Sequence, residues 1–346
     1  MPISYDLTQL GWKTFFQQQL TLEEWETATI ARVAARDRSL VHILAADGHR
    51  KLELQPAMTG LTTGDWILLG EGGNFERMLN RSSLFSRKAA GTRVDTQLIA
   101  ANVDTAFIVS SMNQDFNLNR IERYLALAYE AGVSTVLVLS KLDLCDDPNH
   151  FFEAAQSLDP LLMVVGVNSL DPDSTNRLTA WCGPGNTVVF LGSSGVGKST
   201  LVNTLFGNTV ELTNTIREDD AKGRHTTTGR TLHLLPGGGL LLDTPGMREL
   251  QLAACEHGIG ETFPEITELT SECRFSDCRH QGEPGCAVQA AVESGRIDAR
   301  RLSNYHKLMR EQAFNEATLA EKREKDRKLG RYYRSVLSDK KRMKGD

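Results

Sequence analysis

Residues 186–206 read NTVVFLGSSGVGKSTLVNTLF, and this stretch decides the fold class. An apolar run that predicts a buried strand leads into a G-x-x-x-x-G-K-S sequence and then a helix-prone run, which is the context that a phosphate-binding loop requires. The glycines let backbone N–H groups wrap around phosphate oxygens, and the helix N-terminus adds a favourable potential. A chance glycine-rich turn is the alternative, and the flanking strand and helix argue against it. The predicted phosphate-binding residues are Gly192, Ser193, Ser194, Gly195, Val196, Gly197, Lys198, Ser199 and Thr200.

Further positions supply the chemistry of a nucleoside triphosphate site. Lys198 places a cation on the β- and γ-phosphates, and the Ser199 hydroxyl is a candidate ligand of Mg²⁺. Downstream, residues 240–246 read LLLDTPG, an apolar strand that ends in an acidic turn. We expect the Asp243 carboxylate to hold Mg²⁺, directly or through water, and the Gly246 N–H to meet the γ-phosphate. DTPG alone is compatible with an ordinary turn, but its pairing with the phosphate loop indicates a GTPase-type site.

The segment 217–228 reads REDDAKGRHTTT, which is too polar for a buried element and predicts a mobile switch loop. We expect Thr227 or Thr228 to supply a hydroxyl to Mg²⁺, with a threonine-rich strand entry as the alternative. Met247 follows the DTPG glycine, where many GTPases place a glutamine, and its thioether cannot orient water. His225 is the nearest candidate to orient the attacking water, and an ordinary surface histidine is the alternative interpretation.

Residues 140–143 read SKLD directly after an apolar strand and resemble the guanine-reading N/T-K-x-D element of GTPases. The Asp143 carboxylate can accept hydrogen bonds from guanine N1–H and N2–H₂, and leaving it unpaired would penalise adenine. The aliphatic stem of Lys141 can cover the base, while Leu142 occupies the variable position. Ser140 differs from the commoner Asn or Thr, so the sequence leaves open what the Ser140 side chain contacts. An ordinary helix-capping aspartate is the alternative interpretation.

The order of these elements indicates a circular permutation. In ordinary GTPases the phosphate loop comes first, the DxxG sequence follows, and the base-reading element comes last. Here the base-reading element precedes the phosphate loop and DTPG ends the series. Asn168 and Ser169, after the apolar run 161–167, form a weaker candidate loop for contact with the guanine oxygen.

The distribution of apolar, polar and charged residues along the chain predicts five segments. Short strands separated by turn sequences favour an OB-like β-barrel, with an SH3-like barrel as the alternative. Apolar strands that alternate with helices predict an α/β domain with a mainly parallel sheet. A stretch at 81–100 looks like a basic connector. The predicted segments are an N-terminal extension (1–27), the barrel (28–85), a circularly permuted P-loop GTPase core (86–250), an α-helical zinc-binding domain (251–320) and a basic C-terminal tail (321–346).

A metal-binding cluster is predicted at Cys273, Cys278, His280 and Cys286. Three thiolates and one imidazole within fourteen residues match a closed, tetrahedral, structural zinc site. An iron site or simply reduced cysteines are the alternatives. The sequence offers no open coordination position, so we do not predict zinc catalysis.

Length, charge and cysteine content exclude some classes of protein and favour others. The 346 residues predict two or three domains, and no apolar run approaches the ~18 residues of a membrane span. Six cysteines and an N-terminus without a secretory pattern favour a reducing cytoplasm.

The net charge is −5, but residues 321–346 hold eleven Lys or Arg against five Asp or Glu. This tail favours local contact with phosphate backbones, and a solvated helix is an equal alternative.

Four motifs follow one another in this order: GSSGVGKST, GRHTTT, DTPG and CRFSDCRHQGEPGC. As a set they resemble the ribosome small-subunit-dependent GTPase A (RsgA) family, and the resemblance covers nearly the whole chain. The resemblance implies an OB-fold, a permuted GTPase core and a helical zinc domain. It implies hydrolysis of GTP to GDP, stimulated by the small ribosomal subunit and its rRNA, in late 30S maturation. Expected cofactors are GTP or GDP, Mg²⁺ and one structural Zn²⁺. The resemblance favours His225 as the catalytic residue, and we expect a cytoplasmic, monomeric protein that contacts no membrane.

Two other functions stay open as alternatives. One is a structural RNA-binding module whose GTPase is vestigial, and intact Lys198, Ser199 and Asp243 argue against such decay. The other is a GTP-dependent enzyme unrelated to ribosomes, which would need a second ligand site for which the sequence offers no motif.

Overall fold

The computed structural model describes residues 4–88, 96–206, 230–243, 252 and 255–316. Its strands are β1 (Thr29–Arg36), β2 (Leu40–Ala45), β3 (Gly48–Glu53), β4 (Trp66–Leu69), β5 (Phe75–Met78), β6 (Leu84–Lys88), β7 (Thr96–Ala101), β8 (Thr105–Ser111), β9 (Ser134–Ser140), β10 (Met163–Val167), β11 (Thr187–Leu191), β12 (Thr231–Leu234) and β13 (Leu240–Asp243). Its α-helices are α1 (Thr14–Gln17), α2 (Leu22–Thr27), α3 (Leu118–Glu130), α4 (Pro148–Gln156), α5 (Pro172–Thr175), α6 (Lys198–Phe206), α7 (Glu256–Thr262), α8 (Pro264–Thr270), α9 (Ala287–Glu293) and α10 (Ala299–Glu316). Among these helices, none combines the length and apolar character needed to span a membrane.

A parallel sheet forms the centre of the chain, in the order β10-β9-β8-β11-β13, and β12 adds antiparallel to β13. Both faces of this sheet are covered. Along β8, Phe107 and Val109 face a core that includes Leu201 of α6, while Ile108 faces a second core that includes Ile121 of α3. A strand buried on both faces must be apolar throughout, which is why β8 and β9 are continuous apolar runs rather than alternating ones. The predicted α/β core is confirmed.

Five strands before this core form a barrel-like module. β1 pairs with β2 and β4, β2 pairs with β3, and β4 pairs with β5, all antiparallel. One face of β1 contributes Ala31 and Val33 to a separate apolar core with Ile43 and Ile67. Among the described residues, the pair Ala35–Thr231 joins β1 to β12, so the module is continuous with the central sheet.

The stretch expected to be a basic connector contains a β-hairpin instead. β6 and β7 pair antiparallel from Leu84–Ala101 to Lys88–Thr96. Phe85 and Ile99 are buried, so this hairpin has an apolar side that the basic residues of the sequence obscured.

The N-terminal segment packs on the barrel through aromatic side chains and one buried arginine. Trp12 meets Trp66 edge to face with ring centroids 4.9 Å apart. The Arg32 guanidinium is fully buried and donates to the carbonyl oxygens of Leu10 (2.5 Å), Gly64 (3.3 Å) and Asn102 (2.9 Å). Arg32 therefore joins the N-terminal segment, the barrel and the loop before β8.

The C-terminal region is helical, as its sequence predicts, and α7 and α10 pack against α3 of the central domain, while α8 packs against α7 and α9. Gly258 of α7 crosses α3 so closely that a Cβ there would lie 2.0 Å from the Ala126 carbonyl oxygen. Its N–H donates to the Glu130 carboxylate at 2.7 Å. The described C-terminal helices thus share one apolar core with the face of the sheet that carries α3.

Candidate nucleotide and metal sites

The predicted phosphate loop connects β11 to α6, with strand, loop and helix in the predicted order. Gly192 and Gly197 have φ values of 139° and 97°, which side-chain-bearing residues rarely adopt. A Cβ at Gly192 would lie 2.4 Å from the Val109 carbonyl oxygen, so this glycine is required by space as well as by conformation. The backbone therefore turns tightly enough to direct its N–H groups at an anion.

The Lys198 side chain folds back over this loop. Its Nζ donates to the carbonyl oxygen of Gly192 at 2.7 Å and to that of Ser193. Lys198 is the first residue of α6 and is largely buried. The loop thus holds the ammonium group at the helix N-terminus, where it adds to the positive potential that attracts phosphate.

Ser140, whose role the sequence left open, contacts the phosphate loop. Its buried hydroxyl donates to the Val196 carbonyl oxygen at 2.6 Å, and the Ser110 carbonyl oxygen lies farther away at 3.3 Å. The following residue, Lys141, has a left-handed backbone (φ 62°, ψ 35°). This turn ends β9 and leaves the Asp143 side chain exposed at the start of a short 3₁₀ segment.

The loop after β10 also lies against the phosphate loop. Ser169 Oγ is buried without a hydrogen-bond partner among the described residues, and a Cβ at Gly197 would lie 3.3 Å from it. The Ser169 carbonyl oxygen accepts from Thr204 Oγ1 of α6 at 2.7 Å. Asn168 turns the loop by accepting the Leu170 N–H at 3.0 Å.

All these loops follow the carboxyl ends of parallel strands. In an open α/β sheet this edge is where ligands bind. Asp243 is the last residue of β13, which pairs with β11 in parallel, and its side chain is exposed at the same edge. Ser199 is exposed on the first turn of α6. The remaining predicted positions, His225, Thr227, Thr228 and Gly246, lie outside the described residues.

The four predicted metal ligands converge in space. Their donor atoms all lie within 4.8 Å of one another. The sulfurs of Cys273 and Cys286 are 3.9 Å apart, and His280 Nδ1 lies 3.6 Å and 3.4 Å from them. Tetrahedral zinc, with Zn–S of about 2.3 Å and Zn–N of about 2.0 Å, requires separations of ~3.8 Å and ~3.5 Å. The ligand set is therefore the right size for one zinc ion.

The surroundings of His280 fix which ring nitrogen faces the sulfurs. Nε2 lies 3.2 Å from Thr270 Oγ1 on α8, which leaves Nδ1 toward Cys273 and Cys286. Burial lowers the pKa of His280, and the neighbouring His306 acts in the same direction. Both effects favour the neutral imidazole, which has a lone pair for a metal.

Comparisons with known proteins agree with this geometry. The model of the RsgA GTPase family matches residues 78–253. The small ribosomal subunit biogenesis GTPase RsgA 2 of Vibrio parahaemolyticus is 57% identical over 339 residues, covering 98% of this chain and 95% of that protein. The RsgA protein of Mesorhizobium japonicum is 47% identical, covering 90% of this chain and 91% of its own.

Two solved structures share the fold. YjeQ from Thermotoga maritima superimposes with a TM-score of 0.61 at 25% identity, covering 81% of this chain and 97% of that one. YloQ, described as a circularly permuted GTPase, has a TM-score of 0.59 at 23% identity, covering 84% and 96%. The predicted permutation and the resemblance drawn from the motifs are confirmed. The chain belongs to the RsgA GTPase family and is a GTPase.

Proposed function

We propose that this protein hydrolyses GTP to GDP and phosphate and acts in late maturation of the small ribosomal subunit, which stimulates its turnover. The contact between Ser140 and the phosphate loop carries the nucleotide part of the proposal. It joins the segment that would read guanine to the segment that would hold the phosphates, at one edge of one sheet. The names of the relatives, small ribosomal subunit biogenesis GTPases, support the biological part.

In this proposal the residues from Gly192 to Thr200 hold the phosphates. Lys198 stabilises negative charge on the γ-phosphate while water attacks the phosphorus and the bond to the bridging oxygen breaks. Ser199 and Asp243 would hold Mg²⁺ together with Thr227 or Thr228. His225 orients the attacking water. The magnesium ion neutralises charge on the β- and γ-phosphates when bound.

Base selection is assigned to residues 140–143. The Asp143 carboxylate accepts from guanine N1–H and N2–H₂, with Lys141 against the base and Leu142 between them. A Cβ at Gly197 would lie 3.3 Å from Ser169 Oγ and 3.8 Å from Ser140 Oγ, so the loop that carries Ser169 lies near the first residue of the base-reading segment, which supports a role for that loop near the base.

The four ligands Cys273, Cys278, His280 and Cys286 are assigned to one structural zinc ion. A closed Cys₃His set leaves no coordination position for a substrate, so the metal would stabilise the C-terminal fold rather than react. Loss of a ligand would then destabilise the helices on either side, α8 and α9.

A groove between the barrel, the β6–β7 hairpin and β12 supports contact with rRNA. It is lined by three arginines (Arg36, Arg38 and Arg230) against one carboxylate (Asp37), together with serine, threonine, glutamine and leucine side chains. Burial lowers the pKa of Arg230, and the neighbouring Arg87 and Arg36 act in the same direction. Arginines placed this close together favour a phosphate backbone as their counterion. We further propose that the protein is a cytoplasmic monomer.

The guanine assignment is tested by changing the hydrogen-bonding face of one side chain. Asp143→Asn replaces two acceptors with one acceptor and one donor, which suits the 2-oxo group of xanthine. Titration with fluorescent nucleotides should show at least tenfold weaker GDP binding and improved binding of xanthosine diphosphate. Asp146→Asn, at an exposed carboxylate nearby, is the matched control. Unchanged guanine preference in Asp143→Asn would remove this assignment.

The ribosomal part is tested by turnover. Phosphate release from GTP should rise at least tenfold with purified small subunits, and not with large subunits at equal RNA concentration. Large subunits control for a general polyanion effect. Equal rates with both subunits would overturn the proposed partner.

A further inference from the structure

Helix α3 contacts the phosphate loop through an arginine near its start. Arg120 donates from its guanidinium to Ser193 Oγ at 2.9 Å. The carbonyl oxygen of the same Ser193 accepts from Lys198. A charged donor bound to a neutral hydroxyl makes a stronger hydrogen bond than two neutral groups do. Arg120 therefore binds the Ser193 side chain, and the backbone of Ser193 binds Lys198, the predicted phosphate-binding lysine.

Two residues farther on, the same helix is fixed to the C-terminal helix α10. Glu122 is completely buried, and its carboxylate accepts from Arg300 (3.0 Å to each oxygen), Arg301 (3.2 Å) and Asn304 (2.5 Å). A buried carboxylate that lost these donors would be strongly destabilised, so the position of α10 and the position of this turn of α3 are tied together.

Arg300 also holds the residue directly before Arg120. Its guanidinium donates to Asn119 Oδ1 at 2.7 Å while it binds Glu122. One side chain of α10 therefore spans the turn of α3 that carries Arg120. Arg123, on the same turn, pairs with Glu311 at 2.6 Å, so contacts to α10 continue along the helix.

We propose that α3 couples the C-terminal helices to the phosphate loop, with Arg120 as the positioning residue that transmits the coupling to Ser193. A displacement of α10 shifts the turn at residues 119–123, and this shift changes how Arg120 holds the loop. Coupling between two sites is reciprocal, so nucleotide binding also changes the free energy of moving α10. The proposal goes beyond hydrolysis itself and needs neither a ribosome nor turnover for its test.

The experiment is a double-mutant cycle on the full chain. We would prepare Arg120→Ala, Arg300→Ala, the double variant, and Arg310→Ala as the control. Arg310 is on the same helix but donates to the His306 carbonyl oxygen of its own helix. The readouts are hydrogen exchange of the peptide covering residues 192–199 and the dissociation rate of fluorescent GDP.

We expect the effects of Arg120→Ala and Arg300→Ala on loop exchange and GDP dissociation to be non-additive. Arg120→Ala and Arg300→Ala should each raise exchange of the loop and GDP dissociation about three- to tenfold, in the range of one hydrogen bond. The double variant should not exceed Arg120→Ala, because the transmitting contact is already absent. Arg310→Ala should match the unmodified protein. Additive effects, or no effect of Arg300→Ala on the loop, would overturn the coupling.

Two further variants separate positioning from simple loss of structure. Ser193→Ala removes only the acceptor, so it should reproduce Arg120→Ala without lowering the melting temperature. If Ser193→Ala has no effect while Arg120→Ala does, Arg120 acts elsewhere and the proposal fails. Arg300→Lys keeps the charge but cannot bind Asn119 and both Glu122 oxygens together, and should give an intermediate effect if Arg300→Ala fails to fold.

Discussion

Ser140 Oγ donates a 2.6 Å hydrogen bond to the Val196 carbonyl oxygen and so joins the end of β9 to the phosphate loop. These residues are far apart in sequence, but Ser140 is the last residue of β9 and Val196 lies in the loop after β11, so both are at the carboxyl ends of parallel strands. The serine that departs from the usual Asn or Thr therefore makes a contact with the loop.

Loss of this contact should weaken guanine nucleotide binding. Ser140→Ala leaves the Val196 carbonyl oxygen without its donor and releases the loop from the conformation that this contact holds, so we expect roughly tenfold weaker affinity. Titration with fluorescent GDP measures the change. Ser134→Ala, at the exposed start of the same strand, should bind GDP normally. Equal affinity of the two variants would show that the contact does not position the loop.

His225→Ala should separate binding from catalysis. If His225 orients water, the variant keeps its affinity for GTP and loses most of the turnover stimulated by small subunits, at least about 10²-fold. Phosphate release with and without subunits is the measurement, and His150→Ala, an exposed histidine of α4, is the control. Full stimulated turnover in His225→Ala would exclude it from the mechanism.

Cys286→Ser should release the metal and loosen the C-terminal helices. Cys286 is both a predicted ligand and the cap of α9, where its sulfur accepts the Gln289 N–H at 3.4 Å. Elemental analysis should find about one zinc per chain, and none in this variant. Cys145→Ser lies outside the cluster and should retain the zinc. Absence of zinc from both the unmodified protein and Cys145→Ser would contradict the assignment.

Arg32→Met should destabilise the protein by about 3 kcal/mol, because three buried carbonyl oxygens lose their donor. Burial lowers the pKa of Arg32 to about 10, and the nearby Asp104 and Asp65 oppose this shift. The group therefore remains charged at pH 7. Urea unfolding followed by tryptophan fluorescence measures the loss. Arg38→Met, at an exposed position, should change the free energy of unfolding by less than about 0.5 kcal/mol.

Acid should weaken the attachment of α2 to the barrel. The Arg77 guanidinium and the Thr21 N–H bind the Glu24 carboxylate and lower its pKa from 4.5 to about 2. The unfolded chain therefore binds a proton at this group between pH 4.5 and 2 while the folded chain does not, and stability falls as pH decreases through that range. Melting temperatures from pH 5 to 3 should fall less steeply in Glu24→Gln than in Glu23→Gln.

The sequence by itself determined the phosphate loop and the metal cluster. Each consists of residues close together in the chain, so spacing alone restricts their geometry: Gly192 to Lys198 in one turn, and Cys273 to Cys286 within fourteen residues. The strands of the central sheet were also readable, because burial on both faces demands continuous apolar runs. The hairpin at 84–101 was not recognised, because its basic residues obscured the buried positions Phe85 and Ile99.

Only the tertiary structure decided which distant residues meet. Ser140 contacts Val196, Arg120 contacts Ser193, and Glu122 lies among donors of α10. The local sequence marks Ser140 and Ser193 as candidate site residues but not what they contact, and it does not distinguish Arg120 and Glu122 from surface arginines and glutamates. Their roles arise because parallel strands place their carboxyl ends side by side and because α3 is packed between the sheet and the C-terminal helices, where a buried polar group must find a partner.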